Sequence, residues 1–221
     1  MAYNEFAYFY DELNSEADYD ALYRYVTDEL AAHGIRDGIL ADLGCGTGDL
    51  TLMLAQAGYD VIGIDRSEEM LSVLREKADE LDMTGRILLL RQDLLSLDLY
   101  GTIDACVCCL DSINYVTDSA ALRRAFRRVH TFLMPGGRFI FDINTPEKLR
   151  SMDGQTYLDE NEDIYCVWRA DYSRRSRLCT YGMDLFFREE DGLWRREGEV
   201  HQERAYTPEE LTALLQEAGF T

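Results

Sequence analysis

The run Asp42-Leu43-Gly44-Cys45-Gly46-Thr47-Gly48 constrains what this chain can fold into more than any other stretch of it. Three alternating glycines close a short apolar run, Gly38 to Gly44. They precede a segment, Asp49 to Ala57, that places Leu50, Met53, Leu54 and Ala57 on one face at helical spacing. Residues without a β-carbon let the backbone turn tightly and let a ligand lie directly against it. The helix that follows opens with amides that have no intrahelical partner. Strand, tight turn and helix in this order predict a Rossmann-like unit with a ligand cradle at the bend.

The remainder of the first two thirds repeats that unit. Ala21, Leu22, Tyr25, Val26 and Leu30 recur at helical spacing between Asp18 and His33 and predict a helix ahead of the first strand. Strands are predicted at Asp60 to Asp65, Arg86 to Arg91 and Ile103 to Leu110, and a fifth at Arg138 to Ile143 after Pro135-Gly136-Gly137. Helices are predicted at Ser67 to Leu81 and Asp118 to Leu133. Five apolar strands separated mostly by helices define an α/β class with a parallel sheet covered on both faces. Right-handed crossovers leave few topologies.

Past Asn144 the rhythm changes. Thr145-Pro146 opens a short helix, proline being suited to the first helical position. Ile164 to Tyr172, Leu178 to Arg188 and Leu193 to Tyr206 have strand composition. The middle one alternates cleanly, and Asp191-Gly192 supplies a hairpin turn to the third. A small antiparallel sheet inserted after strand five is expected, able to cover one edge of the core. Thr207-Pro208-Glu209-Glu210 carries a capping box, so Pro208 to Ala218 is a predicted helix closed by Gly219. The expected layout is a helical segment and core over 1–144, an inserted lid over 145–206, and a return helix of the core over 207–221.

Charge narrows the partners. Asp and Glu number 42 against 22 Lys and Arg, and a net charge of −20 repels phosphate backbones and anionic membranes. Nucleic acid is disfavoured, and the Arg123, Arg124, Arg127, Arg128 cluster reads as a solvated helix face. Cys106, Cys108 and Cys109 fall in an apolar run where a thiol behaves as a small hydrophobe, so no metal site is expected. Met1 to Leu13 has no basic n-region, and no stretch approaches the ~18 apolar residues of a membrane span. The expectation is a soluble, cytoplasmic protein with reduced thiols.

Asp65 ends the second predicted strand about twenty residues beyond the first glycine, where a carboxylate can take both ribose hydroxyls of a nucleoside. Dinucleotide-binding chains space their glycines G-x-G-x-x-G. This one has G-x-G-x-G behind the acidic Asp42, better suited to a ligand with an ammonium and a sulfonium than to a pyrophosphate. Asp111 and Tyr115 past strand four, and Asp142 and Asn144 at the end of strand five, fall where ligands bind in such sheets. His201 shares a face of its predicted strand with Glu199 and Glu203.

The run Ala41 to Gly48 resembles the first motif of class I S-adenosylmethionine-dependent methyltransferases, and Val61 to Asp65 the second. Gln92-Asp93-Leu94 is similar to the third, Ile103 to Leu110 to the fourth strand, and Leu133 to Phe141 to the turn and strand five. Phe6 to Leu13, Asp111-Ser-Ile-Asn-Tyr115 and His201 to Tyr206 look like a bacterial small-molecule subgroup, similar to sugar-amine and glycine N-methyltransferases. The resemblance implies S-adenosylmethionine as cofactor, with Gly44, Cys45 and Gly46 at its methionine part and Asp65 at the ribose. It further implies Asp93 and Leu94 at the adenine, Met70 on the adenine face, Leu110 beside the sulfonium and Tyr10 closing the pocket. Asp111, Tyr115 and His201 are the candidate catalytic residues, and the acceptor is an N or O atom of a small molecule, handled by a monomer or homodimer. Members of the superfamily add two strands beyond the final helix, so a shortened tail is expected at Thr221. A nicotinamide-dependent oxidoreductase, an RNA methyltransferase and a non-catalytic cofactor-binding protein are the alternatives.

Overall fold

A computed structural model describes residues 10, 17–189 and 191–221. The Phe6 to Leu13 motif, Tyr10 apart, lies outside the described residues.

Helix α1 (Tyr19–Ala32) starts where Asp18 accepts the Ala21 amide. It is followed by β1 (Ile39–Leu43), α2 (Asp49–Gln56), β2 (Asp60–Asp65), α3 (Glu68–Glu80), β3 (Ile87–Arg91), β4 (Ile103–Cys108), α4 (Ser119–Phe132) and β5 (Leu133–Phe141). The five strands form one parallel sheet in the order β3-β2-β1-β4-β5. Strand alternation sorts the core between two faces. Leu40, Ala105 and Val107 meet α1 and α2 on one side, whereas Ala41, Leu43, Cys106 and Cys108 share the other with Leu122, Phe126 and Val129 of α4. The reversal of strand order between β1 and β4 puts a crevice at the carboxyl ends of these strands.

Strand β5 begins five residues earlier than Arg138 because Leu133 already pairs with Ile103 of β4, and Pro135-Gly136-Gly137, with Gly136 left-handed at φ 87°, is taken up as a register shift between Ile103 and Ala105. As the last strand in the order, β5 tolerates a proline without a ladder amide. In β4, which pairs with it, the correction is opposite. β4 stops at Cys108, since Leu110 and Asp111 are left-handed, at φ 54° and 53°.

Helix α5 (Pro146–Ser151) leads into a separate antiparallel sheet of β6 (Thr156–Glu160), β7 (Ile164–Ser173), β8 (Leu178–Arg188) and β9 (Trp194–Arg204), and α6 (Pro208–Ala218) returns to the core. The composition predicted three strands here. The fourth, β6, is a short, mostly exposed edge whose Thr-Tyr-Leu-Asp-Glu sequence lacks an apolar alternation. One face of this lid packs Ile164, Cys166, Leu185 and Phe187 on Met70 and Val73 of α3, and Ala170, Cys179 and Tyr181 on Leu149 of α5. A cavity remains between these contacts.

Three of the four clustered arginines hold helix ends together: Arg123 pairs with Glu217, Arg127 donates to the Glu217 carbonyl, and Arg128 reaches the Leu97 carbonyl and Asp98. α6 carries the capping box on Thr207 and Glu210, and Gly219 caps its end at φ 113°.

Candidate active site

The glycine loop is pinned to β2, because the amides of Gly44 and Cys45 donate to the Ile64 carbonyl at 2.7 and 3.1 Å. Gly44, Gly46 and Gly48 are all left-handed, at φ 72°, 54° and 88°, which favours glycine at each. A β-carbon at Gly46 would project into open space, its nearest neighbour a Tyr10 ring carbon at 3.9 Å. The bend is therefore a cradle that a side chain would fill. Asp65 joins it to the next element: one carboxylate oxygen accepts the Gly46 amide at 3.1 Å and the other the Ser67 amide at 2.8 Å. Ser67 caps α3 by accepting the Met70 amide, which turns Met70 onto the cavity wall. Asp93 caps the short 3-10 turn Leu94–Ser96 through the Leu95 amide.

These groups line a cavity of about 1580 Å³ that runs from the glycine loop to the lid. Eleven of the twelve cofactor and catalytic candidates named from the sequence border it. Cys45 is the exception. It lines a smaller cavity on the glycine loop beside Asp42 and Cys109, and its sulfur lies 3.3 Å from where a β-carbon on Gly63 would stand. Asp42 is 3% exposed and accepts the Thr51 hydroxyl at 2.6 Å. Burial pushes its carboxyl up to about 6; the Thr51 bond opposes the shift and the charge of Asp65 adds to it.

At the lid end the site is built from backbone that resists its own conformation. The consecutive left-handed residues Leu110 and Asp111 are held by Asp142, whose two oxygens accept their amides at 3.0 and 2.6 Å. The turn Ser112–Tyr115 is then tied down by Asn114. Its amide nitrogen donates to the carbonyls of Asn144 and Arg204, at 3.0 and 2.9 Å, and its oxygen accepts the Asn144 amide at 2.9 Å. Asn144 in turn donates to Glu203 at 2.8 Å.

Asp111 from the core and Glu203 from β9 hydrogen-bond each other inside the cavity. Burial pushes Asp111 up to about 8, with the charges of Glu203 and Asp142 adding and Lys148 opposing. Burial raises Glu203 as well, against the bonds from Asn144 and Tyr181. Two carboxyls in contact in a desolvated site cannot both be charged, so the pair holds one proton. Tyr115, its phenol pushed up by burial and by Asp111, meets His201 edge-on with ring centroids 5.9 Å apart. His201 Nε2 lies 2.8 Å from a Glu199 oxygen.

Sequence reasoning named Asp111, Tyr115 and His201 as catalytic candidates, and all three border the cavity, across the core–lid boundary. It left Glu203 as a neighbour of His201 on a strand face and did not place Tyr181 or Lys148 at the site. Besides its place in the His201 to Tyr206 run, the signal for Glu203 was its two-residue spacing from His201. That signal shows which face it occupies but not that a core carboxyl waits opposite. Among the described residues no group of His, Cys, Asp and Glu could hold a metal ion, and no helix is long and apolar enough to cross a membrane.

A cradle of this kind, followed by a strand-end carboxylate and covered by an inserted sheet, also recurs in known proteins. Residues 40–137 match the methyltransferase domain family. A candidate methyltransferase of Geobacillus sp. (strain WCH70) is 32% identical over 224 residues, an alignment spanning 100% of this chain and 90% of the relative. An S-adenosylmethionine-dependent methyltransferase of Clostridium acetobutylicum superposes with a TM-score of 0.86 at 30% identity, covering 99% of this chain and 87% of that one. The amino pentose methyltransferase CalS10 of Micromonospora echinaspora, solved with S-adenosylmethionine, shares the fold at a TM-score of 0.76 and 24% identity, over 96% and 87% of the two chains. The chain belongs to the S-adenosylmethionine-dependent methyltransferases. It is an enzyme with that cofactor, which sets aside the nicotinamide-dependent and non-catalytic alternatives.

Proposed function

We propose that the enzyme methylates the nitrogen of a small, amine-bearing molecule. The observation that carries this reading is the Asp111–Glu203 pair, which gives the lid end of the cavity a buried negative charge. An ammonium relieves that charge, and a neutral hydroxyl does not. The fold shared with an amino pentose methyltransferase is consistent with such an acceptor. The net charge of −20 disfavours RNA.

In this reading the glycine loop at Gly44, Cys45 and Gly46 holds the methionine part of the cofactor, with Asp42 facing its ammonium. Asp65 takes the ribose, Asp93 and Leu94 the adenine, and Met70 packs on the adenine face, while Leu110 and Tyr10 close the wall. S-adenosylmethionine supplies a methyl group on a positively charged sulfur, transferred by in-line displacement. The chain's main task is then to hold the nitrogen in line and exclude water. An amine that arrives as ammonium must first shed a proton, which the ionised member of the Asp111–Glu203 pair accepts, and His201, oriented by Glu199, is the second candidate base. Tyr115 shapes the wall between them. Residues 1–144 and 207–221 act as the core and 145–206 as the lid, in a cytoplasmic enzyme that works as a monomer or homodimer.

Release of S-adenosylhomocysteine is the measurement that decides. Incubation with primary and secondary amines, with alcohols of the same carbon skeletons and with RNA is expected to give turnover with amines alone. Turnover confined to the alcohols or to RNA would overturn the reading.

A further inference from the structure

Two buried carboxyls that share one proton pose a question of placement: the group that stays ionised can bind a cation, and the other offers a hydroxyl donor. Donors around the pair answer it. Glu203 receives the Asn144 side-chain amide at 2.8 Å and a hydrogen bond from Tyr181. Asp111 has Glu203 as its hydrogen-bond partner and makes no capping bond to the turn it opens. The carboxylate of Asp142, which could have competed, is committed to the amides of Leu110 and Asp111. Lys148 favours the ionised form of both members. Tyr115 faces Asp111 from the turn, and the His201–Glu199 pair belongs to the same strand as Glu203.

Asn144 is placed to make the difference. It is buried, and its main-chain amide and carbonyl are both bonded to the side chain of Asn114, so its backbone is fixed and its own side-chain amide is delivered to Glu203. We propose that Asn144 is a positioning residue that keeps Glu203 the ionised member and leaves the proton on Asp111, so that the acceptor nitrogen meets a carboxylate on the lid and a hydroxyl donor on the core. The lid strand then presents the negative charge to the substrate, and the core holds the proton. Donation to a charged acceptor commonly favours the ionised form by a factor of ten to about a hundred, enough to decide between two otherwise similar carboxyls. The proposal deepens the amine reading, on which it rests for its purpose.

Infrared spectroscopy on the full chain saturated with S-adenosylhomocysteine reads the proton directly and needs no acceptor. At neutral pH the carbonyl stretch of a protonated carboxylic acid is expected, shifted by carboxyl-¹³C labelling of aspartate and lost in Asp111→Asn, a residue type that tolerates the left-handed backbone at this position. In Asn144→Ala the same band is expected to follow ¹³C-glutamate instead, as the proton crosses to Glu203. A merely structural role for Asn144 would leave the band on aspartate. A wild-type band that follows glutamate, or an Asn144→Ala band that still follows aspartate, refutes the proposal, and the first of these needs no variant to fold. Because no acceptor is present, failure of the amine panel and failure of this spectrum are separate results.

Discussion

Replacing Asp42 by Asn is expected to stabilise the cofactor-free protein and weaken its hold on the cofactor. Asp42 is almost fully buried at the end of β1, and it accepts a hydrogen bond from the Thr51 hydroxyl. An Asn oxygen can accept that bond, so the substitution removes the charge and keeps the geometry. In the unfolded chain the carboxyl titrates near 4, and in the folded protein it is pushed up to about 6. The native state therefore binds the extra proton between those values, and stability falls as pH rises through the window, to a constant penalty above it. Two units correspond to ~3 kcal/mol at most, and relaxation in the real site brings the expected gain of Asp42→Asn at pH 7.5 to about 1–3 kcal/mol. Near pH 4 the parent carboxyl is protonated in the folded state and about half protonated in the unfolded one, so the gain shrinks to about 0.5 kcal/mol. A cationic ligand group beside Asp42 reverses the sign, because the buried charge is then compensated. Affinity for S-adenosylhomocysteine is expected to drop by about ten- to a hundredfold, the same free energy seen from the other side. Urea denaturation at pH 4 and 7.5, with and without S-adenosylhomocysteine, measures both effects. A variant less stable than the parent at pH 7.5 without ligand, or a gain equal at both pH values, would refute the reasoning.

Gly48→Ala is expected to cost about 2–4 kcal/mol in thermal or urea denaturation, since its backbone is left-handed at φ 88° and the added carbon would overlap the Leu74 side chain packed under the loop. Asn114→Ala removes three hydrogen bonds, two of them buried, and leaves the carbonyls of Asn144 and Arg204 without that donor. A loss of about 3 kcal/mol in the unfolding free energy from urea denaturation is expected, with faster amide exchange along β9 than along β1.

The core was legible in the sequence because each of its elements announces itself locally. The apolar runs of β1, β2 and β4, the glycine turn and the amphipathic spacing of α1 and α4 are all readable within ten to fifteen residues. Strand β6 was not legible, because a polar edge strand buries little and owes its pairing to β7 rather than to its own composition. The same distinction divides the site. Gly44, Gly46 and Asp65 sit in one contiguous unit and carry a spacing. Asp111 and Glu203 lie ninety-two positions apart and meet only because Asn114, itself an unremarkable residue in a turn, bonds to both β5's exit and the end of β9. No local pattern encodes a contact made through a third element.

The stitching by Asn114 also sets apart the two sides of the cavity. Its bonds fasten the root of the lid, near Arg204, to the same turn that carries Tyr115, and Arg204 adds a bond of its own to the Thr117 carbonyl. The opposite margin of the lid sheet is the polar edge at Thr156–Glu160, where Tyr157 stacks on Trp168 and both rings line the cavity. The carboxyl pair therefore sits on the fastened side of the cavity, and the stacked aromatic pair lines the other.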